Sequence, residues 1–121
     1  MHESITLQPE PSSAGEARHF VQTQLRDRVG DDVTEVAVLL TSELVTNVIV
    51  HARTPLRLDV DVEADGLRVA VADDAPRSPT LRQAHAARLT GRGMTLVDML
   101  AAQWGVEPTP PGKTVWFELP A

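Results

Sequence analysis

The chain of 121 residues has no cysteine, and its aromatic residues are two tryptophans and two phenylalanines. Without cysteine there are no disulfides, no thiolate zinc sites and no cysteine nucleophiles. The four histidines are scattered without paired spacing, so any bound metal is expected through oxygen ligands. No run approaches the ~18 uninterrupted apolar residues of a membrane span. The opening "MHESITLQPEP" has neither a basic region nor an apolar one, which predicts a soluble, cytoplasmic protein with no membrane partner. Seventeen acidic residues against eleven Lys and Arg give a formal charge of −6, with no basic stripe and no set of stacking aromatics. That balance argues against nucleic acid as a partner and leaves small molecules and proteins.

What is present fits one globular domain over residues 1–121: with 42% hydrophobic and 23% charged residues, the chain can bury about two thirds of its unfolded surface around one core. A short extended segment, "SITLQPEP", comes first. Ser13 with Glu16 three residues on forms a capping box, and Ala17, Phe20, Val21 and Leu25 follow at helical spacing, predicting a helix over about 14–28. The acidic start of "GDDVTEVAVLLTSELVTNVIVHA" and the lack of a breaker before Pro55 predict a second helix over about 31–52. The period then changes to two. Leu56, Leu58, Val60 and Val62 alternate with charged residues, and Asp65-Gly66 is read as a positive-φ hairpin turn that opposes Glu63 to Arg68, Val62 to Val69 and Val60 to Val71. Residues 75 to 92 are weakly patterned and read as a long loop with one helical turn. "GMTLVDMLAAQWG" is a further helix with Leu96, Val97 and Leu100 on one side, and "TVWFELP" closes a second hairpin. This order predicts an α+β fold: a two-layer sandwich with a mixed, mostly antiparallel sheet and helices on one face.

Three features carry chemistry. On a helical wheel, Glu43, Asn47 and His51 share the side of Val33, Val36, Leu40 and Leu44, while Glu35, Ser42 and Thr46 point away. A carboxylate beside such neighbours needs a cation, a substrate proton or a donor network. An internal pair of Glu43 with His51 or Arg53 would serve as well as a ligand. Asp73 ends its strand on the face of Val69 and Val71, where it either accepts from an amino group of a ligand or closes an Asx-type turn in "DDAP". In "TGRGMTLV", Gly91 and Gly93 bracket Arg92 before a helix start, where unpaired N–H groups suit phosphate oxygens; an ordinary turn is the alternative. Neither GxxxxGK[ST] nor a strand-linked GxGxxG occurs, so no P-loop or Rossmann site is supported.

That set, in that order, resembles the histidine-kinase-like ATPase superfamily of gyrase-type topoisomerases, sensor histidine kinases and anti-sigma factor serine kinases. It looks most like the small anti-sigma-type ATP-binding proteins of actinobacteria, over essentially the whole chain. "ELVTNVIVHA" is similar to the family's asparagine box. The resemblance implies that Asn47 supplies an oxygen to Mg²⁺ and that Glu43 is the general base, roles that suit a hard amide oxygen and a carboxylate. "DDAPR" looks like the first glycine box, with Asp73 matching the reader of the adenine amino group. "GRGM" resembles the second, which implies that Gly91, Arg92, Gly93 and Met94 contact the nucleotide and that the two glycines close over the phosphates. Thr114 in "GKTVW" matches a threonine that supports the adenine-binding aspartate. Where the family pattern is Asp-x-Gly-x-Gly, this chain has Ala75 and Arg77. Ala75 adds a methyl near the nucleotide, and Arg77 stiffens the hinge while adding a charge within reach of phosphate.

The resemblance thus implies an ATP-Mg²⁺-binding regulator that phosphorylates an anti-anti-sigma (STAS-like) partner, sequesters a sigma factor, or both. Relatives of this type often pair through their sheets, which extends the expectation to a homodimer. Residues 1 to 30 hold only one short strand and one helix, without a phosphoacceptor-histidine dimerisation helix, so a complete sensor kinase is not expected. The second reading, motivated by Ala75 and Arg77, is a non-catalytic protein-binding module with weak or no nucleotide binding.

Overall fold

The computed structural model describes residues 1–76 and 92–121. The segments that alternate apolar and polar residues become strands: β1 His2–Leu7, β2 Leu56–Glu63, β3 Gly66–Asp73, β4 Gln103–Thr109 and β5 Gly112–Pro120. They form one sheet in the order β1-β2-β3-β5-β4, and every ladder among the described residues is antiparallel. The last strand therefore inserts between the central hairpin and its own predecessor. Pro108 lies on the edge strand β4, where its missing N–H costs no second ladder.

One face of the sheet holds the core. Leu56, Leu58 and Val60 of β2, Leu67, Val69 and Val71 of β3, and Val115, Phe117 and Leu119 of β5 are all buried. Helix α1 (Ser12–Leu25) covers β1 and β2 with Ala17, Val21 and Leu25, and α2 (Asp31–Asn47) covers β3 and β5 with Ala37, Leu40, Leu44 and Val45. Helix α3 (Arg92–Leu100) packs on α2 and adds Val97. Burying such an apolar face at ~25 cal/mol per Å² is the main force holding the two layers together. The opposite face is mixed: Arg57, Asp59, Asp61, Arg68, Thr114, Trp116 and Glu118 are exposed or half-buried, and the Arg68 guanidinium stacks 4.2 Å from the Trp116 ring centroid. The expected α+β sandwich, with helices on one face, is the observed one.

Several local expectations need correction. Helix α1 starts at Ser12, two residues before the expected start at 14: Ser13 is inside the helix and buried, and its hydroxyl donates to the Gln8 carbonyl at 2.6 Å. The helix ends at Leu25 rather than 28 because Arg26 leaves the helical region, with ψ 129, and Asp27 then turns left-handed, with φ 61. In the central hairpin Val60 faces Val69, Val62 faces Leu67 and Glu63 faces Gly66, so the loop is Ala64-Asp65. No described glycine has positive φ. Gly66 serves instead as a strand residue under β5, where a Cβ would come 2.8 Å from the Leu119 carbonyl oxygen. The shift moves each pair by two positions, so the apolar face is unchanged. Leu100 of α3 is exposed, not on the packed side.

The helical stretch Asp31–Ala52 is long and apolar enough to span a membrane by length and composition. In the fold it is the core helix that packs on β3, β5, α1 and α3.

Candidate functional site

The second helix does not run to residue 52 as a uniform α-helix. Its α-helical part ends at Asn47, and Val48–Ala52 forms a single π-helical turn in which the Arg53 N–H reaches the Val48 carbonyl at 2.8 Å. Arg53 then takes a left-handed conformation, φ 57 and ψ 36, and the chain enters β2. π-turns are rare and widen the helix locally, which alters the direction of everything beyond Asn47. His51 accordingly is exposed, whereas Glu43 and Asn47 stay half-buried on the flank of the stripe made by Leu40, Leu44 and Val48.

Neither of these two polar side chains is used up by the described residues. Glu43 has no ion pair or side-chain hydrogen bond among the described residues; Arg53, one internal partner the sequence offered, turns its Nε to the Val50 carbonyl at 3.3 Å. Asn47 Nδ2 is buried without a partner among the described residues. A buried donor left unpaired costs about 1–3 kcal/mol, so the position favours an acceptor brought from outside.

The exit of this helix lies beside the end of β3. Thr54 Oγ1 accepts a hydrogen bond from the Asp74 N–H at 3.0 Å, and Leu56 pairs with Asp73 across the ladder. Asp73 is buried, as its alternation with Val69 and Val71 predicts. Its Oδ1 accepts from the Ala75 N–H at 3.0 Å, which is the Asx-type turn. Its Oδ2 accepts from Nζ of Lys113, the residue directly opposite on β5, and the two side chains are only 1% and 8% exposed. The backbone is equally close here. A Cβ on Gly112 would fall inside the Asp73 carbonyl group, so only glycine lets β5 start this near β3.

Thr114 is not part of this contact. It faces Ala72 on the other side of the sheet, and its hydroxyl bonds that of Thr109 at 2.9 Å. Strand alternation is the reason: Lys113, Val115, Phe117 and Leu119 share the core face, and Thr114, Trp116 and Glu118 the outer one. The same alternation in "GKTVWFEL" was the signal that could have found Lys113, a cation on an apolar face. Ala75 is half-buried and continues the turn after Asp73. Arg92, Gly93 and Met94 form the first turn of α3, so Gly93 lies within the helix rather than before it. Arg77 and Gly91, with the rest of the 77–91 stretch read as a loop, lie outside the described residues.

For a metal, no group of three or more His, Cys, Asp or Glu among the described residues could act as a cage. A Mg²⁺ ion would need ligands that arrive with it, such as phosphate oxygens, and this is its usual habit. A single amide with an adjacent carboxylate one turn earlier, Asn47 and Glu43, fits that kind of shared coordination. The base end fits less well, because both oxygens of Asp73 already have donors and the carboxylate is closed off behind them.

The fold is shared with two solved structures. The RsbU and RsbW domains of Rv1364c from Mycobacterium tuberculosis superpose with a TM-score of 0.71 at 15% identity, over 100% of this chain and 33% of that one. The histidine kinase domain of the blue-light activated histidine kinase from Erythrobacter litoralis superposes with a TM-score of 0.60 at 22% identity, over 90% of this chain and 59% of that one. The chain therefore spans about a third and three fifths of these two proteins. No curated protein matches it. The family model of the histidine kinase-like ATPase domain matches residues 7–119, which takes in the helix of Glu43 and Asn47, the Asp73 strand end and the closing hairpin: the chain belongs to the histidine kinase-like ATPase domain family.

Proposed function

We propose that this chain is a cytoplasmic ATP-Mg²⁺-binding regulator of the anti-sigma factor kinase type, acting on an anti-anti-sigma (STAS-like) partner by phosphorylation, on a sigma factor by sequestration, or on both. The observation that carries the reading is Asn47, whose buried Nδ2 has no partner among the described residues, on the core helix of a histidine kinase-like ATPase domain. As it stands, Nδ2 can donate to a phosphate oxygen; a half-turn of the side chain would present the amide oxygen to a cation instead. Mg²⁺, when bound with the triphosphate, supplies charge neutralisation at the transferring group. Glu43, one helical turn before Asn47 and without a partner among the described residues, is available to take the proton of a serine or threonine hydroxyl. Arg92 and Gly93 are proposed to face phosphate at the start of α3, where the first N–H groups of a helix lack intrahelical acceptors. Gly91, Met94, Arg77 and Ala75 complete the proposed nucleotide contacts, and a homodimer is proposed on the resemblance alone.

Thermal unfolding with and without Mg-ATP tests this reading. At a nucleotide concentration of about 100 times Kd, binding adds roughly 2.7 kcal/mol of stability. Glu43→Ala should keep that shift and lose phosphate transfer to a co-encoded STAS partner. Loss of the shift instead would make Glu43 structural. The second reading, a protein-binding module with weak or no nucleotide affinity, is favoured by the Lys113–Asp73 pair and by Ala75; it predicts no shift at millimolar nucleotide.

A further inference from the structure

We infer that Lys113 determines base specificity: together with the Ala75 N–H it closes the Asp73 carboxylate, 1% exposed, off from an adenine amino group, so the site does not select adenine. The inference rests on the nucleotide-binding reading above and concerns the other end of the same site. Asp73 and Lys113 are forty positions apart in sequence yet directly opposite in the β3–β5 ladder, and both are buried. Oδ2 accepts from the Lys113 ammonium and Oδ1 from the Ala75 N–H.

An exocyclic amino group is a neutral donor. Each carboxylate oxygen keeps a second lone pair, but the side chain is 1% exposed, so an amino group reaches one only by moving the Lys113 ammonium aside within a dry contact, an exchange that favours the existing pair. Displacing the Ala75 N–H would instead undo the turn that follows β3. The carboxylate is also tied down sterically, because Gly112 brings the β5 backbone against the Asp73 carbonyl and leaves no room for the strand end to step aside. A nucleoside triphosphate is therefore held through its phosphates and Asn47, and its purine is not discriminated by its 6-substituent.

Calorimetric titration of the whole chain with Mg-ATP and Mg-GTP tests this. Sites that hydrogen-bond a group reject analogues lacking it by orders of magnitude, so an unread base predicts ATP and GTP dissociation constants within about threefold. A preference for ATP beyond that in the wild type overturns the inference, whereas parity or a preference for GTP supports it. Lys113→Thr frees the carboxylate with a residue suited to a strand, and should raise the ATP preference to about tenfold or more. Should K113T not fold, Lys113→Gln replaces it: its neutral amide keeps a donor on Oδ2 but holds it less tightly than the ammonium does, so the ATP preference should still rise. If the wild type binds neither nucleotide but the variant binds ATP, Lys113 is withholding Asp73 and the inference stands while the proposed function falls. If neither protein binds either nucleotide, both fall.

Discussion

Lys113 and Asp73 show what a single side chain contributes here beyond any role with a ligand. Each is a charge taken out of water at the inner end of the sheet, and each is tolerable because the other is there. Lys113→Met removes one partner and leaves a buried carboxylate, which should cost about 3–5 kcal/mol in urea unfolding. Replacing both, Asp73→Leu with Lys113→Met, should recover most of that loss; if the single and double variants are equally unstable, the pair is not what balances the charge. Half of this was readable in advance, since alternation with Val69 and Val71 put Asp73 on the core face. The pairing was not: alternation in "GKTVWFEL" puts Lys113 on a core face, but nothing local in "VADDAP" names a residue forty positions later. Asn47 and Glu43 were legible as polar residues beside an apolar stripe. That neither Glu43 nor the Asn47 Nδ2 finds a partner among the described residues emerges only from the tertiary structure.

At the scale of elements, the departures concentrate where the chain changes direction. The sequence of α2 has no breaker before Pro55, and the helical stretch does continue to Ala52, but it leaves the α pattern at Asn47 for one π-turn and closes on a left-handed Arg53. A non-glycine residue there pays steric strain of roughly 1–2 kcal/mol between its Cβ and the following carbonyl. Arg53→Gly should therefore stabilise the protein by up to about 1 kcal/mol, the entropy of glycine offsetting part of the relief, as a rise in the urea midpoint without a change in slope. The hairpin register failed for a related reason. Asp65-Gly66 is a strong turn signal, yet the position that most needs glycine is under the β5 backbone, where Leu119 approaches. Gly66→Ala should thus destabilise by packing rather than by φ, and an unaltered stability would restore the turn assignment.

For the whole molecule, one apolar sheet face covered by helices accounts for the fold, and Phe117, on the strand β5 between β3 and β4, is the largest fully buried side chain among the described residues. Phe117→Ala should remove about 3–5 kcal/mol. Against a total stability of about 5–15 kcal/mol, that is a large part of the whole and should lower the thermal midpoint by many degrees. The sequence by itself determined the periods: which stretches are helices, which are strands, which face of each is apolar, and hence the α+β sandwich. Those depend on residues two to four positions apart, within reach of local backbone geometry. The tertiary structure decided what depends on residues brought together from a distance: β5 entering between β3 and β4, the shifted register of the central hairpin, and Lys113 against Asp73. Burial makes that last contact consequential, because a charge in a dry interior must be met by whichever group the topology sets opposite it.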